Sequence, residues 1–374
     1  MKKRIYFENL DGLRFLCFLS VFLFHSFHTD YTELKENPIY HFIKKDLFGN
    51  GNIGVNFFFV LSGFLITFLL IEEKKLNGQI NLKNFWTRRI LRIWPLFYFC
   101  VFIGFIIFPW LKQLFGQIPN ETATPLFYLT FINNFDFIHK GLPDASILGV
   151  LWSVAIEEQF YLVWPLILFI FPVKKLWIPF AIIITCSLVF RAFNDSPILL
   201  EHHTLSCIGD MTIGAAGAWL INTSDKFKGY IEKLSRLKIA AIYFIFLLIY
   251  FFRDEFLLAN HGVRIFERMF IAIIMLLIIL EQTFANRSLF KMAHFKQVSK
   301  LGLITYGLYC LHFIGILITT TLTKKLSINT HLWQVFLVDT PIALILTIVI
   351  SKISYRYFET PFLKLKERFA YITK

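Results

Sequence analysis

Ten apolar runs, each near the length of a bilayer crossing, dictate what this chain can fold into. They fall near residues 10–28, 53–71, 91–110, 150–171, 177–192, 204–222, 238–253, 264–284, 303–322 and 333–352. A lipid interior offers no water to unpaired backbone groups, so runs of this length become helices whose hydrogen bonds close within each segment. No Gly/Ser linker or long polar tract separates them. The sequence therefore predicts an all-α, polytopic transmembrane helix bundle, with residues 1–374 forming a single integral-membrane domain. Composition agrees, with 56% hydrophobic and only 17% charged residues.

Lys and Arg number 38 against 25 Asp and Glu, a formal charge of +13. In a membrane chain this surplus marks cytoplasmic loops, and nucleic-acid binding is not expected. Placing Lys2-Lys3-Arg4 inside puts Lys74, Lys75, Lys83, Arg88, Arg89 and Arg92 inside as well. A shorter run at 125–138 decides the rest, being short for a crossing and carrying Asn133, Asn134 and Asp136. If it dips into the bilayer or lies on its surface, Lys174-Lys175, the 226–238 and 287–300 loops and the basic tail after Lys352 all stay inside. About ten spans with both termini cytoplasmic follow, in the cell's inner (plasma) membrane. No small-residue cleavage site follows the first run, so no cleavable signal peptide is expected. The cysteines (Cys17, Cys100, Cys186, Cys207, Cys310) lack metal-ligand spacing and read as small core residues, with no metal. Because the sequence ends soon after its last apolar run, all of the chemistry is expected from the membrane part.

The first run opens on Asp11-Gly12-Leu13-Arg14 and reaches His25 eleven residues after the arginine. At 100° per residue that is about three turns plus roughly 20°, so both side chains share one helix face, roughly 16 Å apart along the axis. Asp11 is placed to cap the helix by accepting from the Arg14 backbone N–H. An arginine near one membrane surface and an imidazole deeper on the same stripe is a costly arrangement in lipid, and such groups are functional candidates. Either alone also fits a plain role, snorkelling for Arg14 and helix bridging for His25.

Other positions add weight. Ser62-Gly63 in the second run fits close helix packing or a site. Arg89 and Arg92 stand three apart at the start of the third run, with Arg88 beside them, a spacing suited to a phosphate-bearing ligand and equally to a cytoplasmic flank. The fourth run carries Trp152-Ser153 followed by Glu157-Glu158-Gln159-Phe160-Tyr161. Two carboxyls about two turns into a membrane helix are not a solvated face, and because adjacent positions diverge by about 100°, one of the pair faces the site. Asp210 and His312 are further ionisable groups inside apolar runs.

Together these stretches resemble the acyltransferase-3 family of integral-membrane O-acyltransferases. The resemblance runs from Asp11-Gly12-Leu13-Arg14 to Glu359-Thr360-Pro361, through the Arg14/His25 spacing, Phe58 to Leu65, and Trp152-Ser153 with Glu157 to Tyr161. Asn56 stands where the family usually has Asp, and Thr305 replaces the usual Ser before Tyr306-Gly307. The resemblance implies an acyl-CoA donor, acetyl-CoA in the first instance, entering from the cytoplasm. It implies an acceptor hydroxyl on a surface glycan or lipid-linked sugar at the outer face. On this resemblance His25, Arg14 and Glu157 carry the catalysis. Arg14, Ser62, Arg88, Arg89 and Arg92 hold the donor, and Trp152, Glu158, Tyr161, Asp210 and His312 contact the acceptor. A histidine suits the step because its pKa lies near operating pH. The alternatives are a proton-coupled secondary transporter, which predicts internal repeats not found in this sequence, and a non-catalytic component of glycan assembly.

Overall fold

The structure, a computed structural model, describes residues 3–370 and 372–373, and Lys2 lies outside them. Each of the ten apolar runs contains one long helix. In chain order these are α1 (Glu8–Phe24), α2 (Ile53–Asn77), α3 (Leu82–Phe102), α4 (Leu151–Ile170) and α5 (Trp177–Ala192). The second half holds α6 (Thr204–Thr223), α7 (Arg236–Arg253), α8 (His261–Phe284), α9 (Thr305–Lys325) and α10 (Thr340–Ile353). Among the described residues seven helices are long and apolar enough to cross a membrane, those built on α2 to α6, α9 and α10. An eighth is added if Asp225–Glu232 and Arg236–Leu258, which meet at 88°, count as one broken span. Outside this set fall α1, with 17 residues including Glu8, Asp11 and Arg14, and α8, which carries Arg264, Glu267, Arg268 and Glu281.

Part of that charge is satisfied inside the protein. Glu267 of α8 bridges Arg191 of α5 at 2.8 Å and Arg253 of α7 at 2.7 Å, while Arg268 pairs with Asp210 of α6. Removing one member of such a set leaves a buried charge without its partner, so α5 to α8 are bound into one polar cluster.

The run at 125–138 breaks into two short helices, Pro125–Leu129 and Asn133–Lys140, at Phe131, whose backbone is left-handed (φ 56°). Neither piece is long enough to cross. Gln159 of α4 anchors the break by donating to the Phe131 carbonyl at 2.8 Å and to Asn134 Oδ1 at 2.9 Å.

Helix α2 is the central post. A cluster around Phe18, Phe59, Leu96 and Ile156 lies on one side of it, and another around Phe64, Ile239, Ile271 and Ile279 on the other. Its contact with α6 is backbone on backbone: a Cβ on Gly63 would sit 1.8 Å from the Met211 carbonyl oxygen, and one on Gly214 1.9 Å from that of Val60. Lipid tails are as apolar as leucine, so this close approach of small residues is what holds membrane helices together. Gly54 sets the register with α1 in the same way, lying against the Cys17 carbonyl.

Asp11 does not cap α1. The helix begins at Glu8, with Phe7 before it and no side-chain cap, so Asp11 falls within the first turn. Completely buried there, it accepts from the Arg14 guanidinium and the Tyr6 hydroxyl. A guanidinium is the stronger donor, and the charge-assisted pair wins over a backbone amide. At the chain ends, Lys3–Arg4 pairs in parallel with Ile372–Thr373, so the two ends meet on one side of the bundle.

Replacing Gly63 or Gly214 by Val should force α2 and α6 apart at a cost of about 1–3 kcal/mol or more. The loss is measurable as a lowered thermal midpoint of the detergent-purified protein. Gly229→Ala, where nothing lies within 4 Å of the added carbon, should leave the midpoint unchanged or raise it.

Candidate active site

A cavity of about 220 Å³ opens among α1, α2, α3, α4 and α9. Its wall on α2 runs from Leu69 to Val55, which at 1.5 Å per residue is about 21 Å of helix. Apolar side chains, Leu61, Leu65, Ile66 and Leu69 among them, line that wall. The charged lining is Arg14 of α1, Arg89 and Arg92 of α3, and Glu157 of α4. With Arg14 already paired to the buried Asp11 carboxylate, Arg89 and Arg92 against Glu157 leave one positive charge in excess beside an apolar flank.

The helical spacing explains the convergence. Arg89 and Arg92, three residues apart, lie on one face of α3 and point to the same cavity. The Arg89 guanidinium also sits over the Tyr161 ring at 5.2 Å and the Phe85 ring at 5.5 Å, which holds it in place without neutralising it. Tyr161 lies one turn beyond Glu157 on α4. Its hydroxyl donates to Glu157 Oε2 at 2.9 Å and lies 3.0 Å from Ser62 Oγ, which itself donates to Glu157 Oε1 at 2.7 Å. Ser62 and Gly63 thus divide the two uses of a small pair, since Gly63 packs on α6 and Ser62 turns to the cavity. Arg14 is braced from below by Asp11, and burial together with the Asp11 carboxylate pushes the Tyr6 phenol up, so Tyr6 stays a proton donor to that carboxylate.

The remaining sequence candidates lie elsewhere. Glu158, rotated about 100° from Glu157, accepts from the Trp94 indole N–H at 2.8 Å, so Glu157 is the carboxyl that faces the cavity. Arg88 points away and donates to the Phe369 carbonyl at 2.8 Å and to Glu73 at 3.2 Å. Asp210 is taken by Arg268 and by Asn56, whose amide donates at 3.0 Å. Trp152 packs against Phe59 and the His202 ring.

His25 does not line the cavity. It caps the carboxyl end of α1 and packs on His312 of α9, with ring centres 5.3 Å apart. Three turns of α1, about 16 Å, separate it from Arg14. On α9 the cavity lining ends at Tyr309, whose hydroxyl is 2.7 Å from that of Ser153, and His312 is one turn further along the same helix. Arginines, apolar wall, Tyr309 and the histidine pair thus follow one another along the bundle axis. The sequence reading missed Tyr309 and Ser153, which carry no charge to betray them. It also missed the Arg191–Glu267–Arg253 set, although a charged residue inside an apolar run was signal enough.

These positions lie within a match that settles the class: the chain belongs to the acyltransferase-3 family, whose model, described as an acyltransferase domain, covers residues 7–356. "Peptidoglycan O-acetyltransferase OatA" of Listeria monocytogenes is 29% identical over 96% of this chain and 56% of its own length. "Putative peptidoglycan O-acetyltransferase YrhL" of Bacillus subtilis is 26% identical over 95% of this chain and 55% of its own. The chain thus spans little more than half the length of these curated relatives. No solved structure matches it.

Ser62→Ala should leave Glu157 Oε1 without its donor and lower stability by about 1–3 kcal/mol, the scale of an unmet buried acceptor. Tyr161→Phe should do the same for Oε2. Thermal denaturation of the two single variants and the double should show non-additive losses, because all three residues share one network.

Proposed function

We propose that this chain is a membrane O-acyltransferase that takes an acetyl group from acetyl-CoA on the cytoplasmic side and passes it to a hydroxyl of an extracytoplasmic glycan of the peptidoglycan class. The observation that carries this reading is the cavity itself, with three arginines, an apolar flank about 21 Å long, and a pair of imidazoles one turn beyond Tyr309, the last residue of α9 to line it. The names of the relatives support the choice of acetyl group and of glycan.

Arg14, Arg89 and Arg92 hold the phosphates of the donor, each guanidinium offering a planar fork that matches phosphate oxygens. The thioester arm lies along the apolar wall of α2. Glu157, fixed by Ser62 and Tyr161, keeps that wall in shape and balances part of the arginine charge. At the outer end His25 takes the proton of the acceptor hydroxyl as its oxygen attacks the thioester carbonyl. The C–S bond breaks, and the thiolate of coenzyme A receives the proton from His25. Tyr309 stands between the cavity and the imidazoles, so the acyl group has to pass its side chain.

The topology proposed with this reading is ten crossings, both ends inside. The pairing of Lys3–Arg4 with Ile372–Thr373 supports an even number, since seven crossings would leave the ends on opposite faces. Reporter fusions after Lys175, Lys228 and Lys296 should all signal cytoplasm, and fusions within 112–148 should signal the outside.

The mechanism is tested with radiolabelled acetyl-CoA, membranes and peptidoglycan fragments. His25→Ala should lose ~10²–10⁴ of the transfer rate while donor affinity is kept. Arg89→Ala/Arg92→Ala should weaken donor binding, and Arg88→Ala should leave it near wild type. Normal transfer by a well-expressed His25→Ala protein overturns the reading.

A further inference from the structure

We propose that His312 is a positioning residue for His25: its Nε2 accepts the ring N–H of His25 and so determines which His25 nitrogen meets the acceptor hydroxyl. This rests on the reading of His25 as the base.

His312 is completely buried, and its Nδ1 lies 2.7 Å from the Tyr309 carbonyl oxygen. A carbonyl oxygen only accepts, so Nδ1 carries the hydrogen, and in the neutral ring Nε2 has a lone pair and nothing to donate. That Nε2 is buried and has no hydrogen-bond partner among the described residues. Unmet buried acceptors are rare and each calls for an explanation.

The surroundings narrow the choice of donor. Phe18, Phe22 and Phe313 pack around the His312 ring at 6.2, 6.4 and 4.6 Å between centres, and none of them can donate. Two polar rings share this shell. One is Tyr309, at 6.1 Å, whose hydroxyl donates to the Val150 carbonyl at 3.2 Å and lies 2.7 Å from Ser153 Oγ. The other is His25, at 5.3 Å and inclined by 34°, which is the ring with a donor to spare. Two imidazoles joined edge to edge by an N–H···N bond of ~2.9 Å, with about 1.1 Å from each nitrogen to its ring centre, have centres about 5.1 Å apart. The observed spacing leaves room for such a bond, which a rotation of the partly exposed His25 ring forms.

The chemistry follows from the proton count. With one His25 nitrogen donating to His312, the other holds only a lone pair and is free to act as base. It takes the hydroxyl proton as the new C–O bond forms. The imidazolium stays bonded to His312 through its first N–H, and the second proton goes to the departing thiolate when the C–S bond breaks. Through Tyr309, whose hydroxyl lines the end of the cavity and whose carbonyl fixes His312, this arrangement is tied to the donor channel.

Two substitutions separate positioning from support. His312→Asn keeps a donor near Nδ1 for the Tyr309 carbonyl and offers nothing at the Nε2 position. His312→Gln places an amide oxygen near Nε2 and forgoes the bond to Tyr309. His312→Leu lacks both. Positioning predicts that Asn and Leu lose about tenfold or more in kcat, the scale of a misoriented catalytic group. Gln should keep the larger share, and KM for acetyl-CoA should stay unchanged in all three. A merely structural role predicts the opposite order, with Asn above Gln. Asn equal to or better than Gln overturns the inference, and if Asn does not fold, Gln no better than Leu does so. Activity in His25→Ala would instead sink the reading on which it rests. An inactive His25→Ala beside a fully active His312→Asn would sink this inference alone.

Discussion

Charge that must be matched inside a medium unable to solvate it is the constraint on which this structure depends. The bundle meets it in two ways. On the α5–α8 side arginines and carboxylates are paired to near completion: Arg191 and Arg253 on Glu267, Arg268 on Asp210. On the α1–α4 side pairing stops short. Arg14 has Asp11, but Arg89 and Arg92 face a cavity that holds one glutamate, itself engaged by Ser62 and Tyr161. Guanidiniums that face a cavity in a low-dielectric wall with no carboxylate in direct contact are a standing attraction for an anion. The difference between the two halves sets a closed polar scaffold apart from an open, arginine-lined cavity.

The packing of α2 converts that difference into geometry. Because Gly63 and Gly214 bring α2 and α6 into backbone contact, α2 is fixed to the paired half, and its opposite face forms the cavity wall. A loose α2 would let the wall collapse onto the arginines. The adjacent Ser62 therefore inherits its position from the glycine beside it, and through Ser62 so does the Glu157 carboxyl.

Much of this was legible in the residues. Period, length and the absence of charge announced nearly every long helix, and the 100° step between Glu157 and Glu158 foretold that one carboxyl would turn away. The three-residue step from Arg89 to Arg92 likewise placed two cations on one face. What was not legible is whatever depends on a neighbour distant in sequence. Arg88 looks like its companions until the Phe369 carbonyl and Glu73 claim it. Asp11 has the spacing of a cap, yet Tyr6 and Arg14 compete for it more strongly. His25 and Arg14 share a stripe, but the cavity ends before the stripe does, and Tyr309, an ordinary aromatic in an apolar run, marks that boundary.

The meeting of the two chain ends through Lys3–Arg4 and Ile372–Thr373 has a bearing on how such a unit is joined to anything else. A polypeptide extended from either end starts at the same point on the same face. A partner fused there works next to the arginine end of the channel without further adaptation. On the ten-crossing topology proposed above, one meant to work at the histidine end has to be carried through the bilayer first, by a segment that is itself a crossing. The strand pair thus sets the parity of any larger architecture built on this bundle.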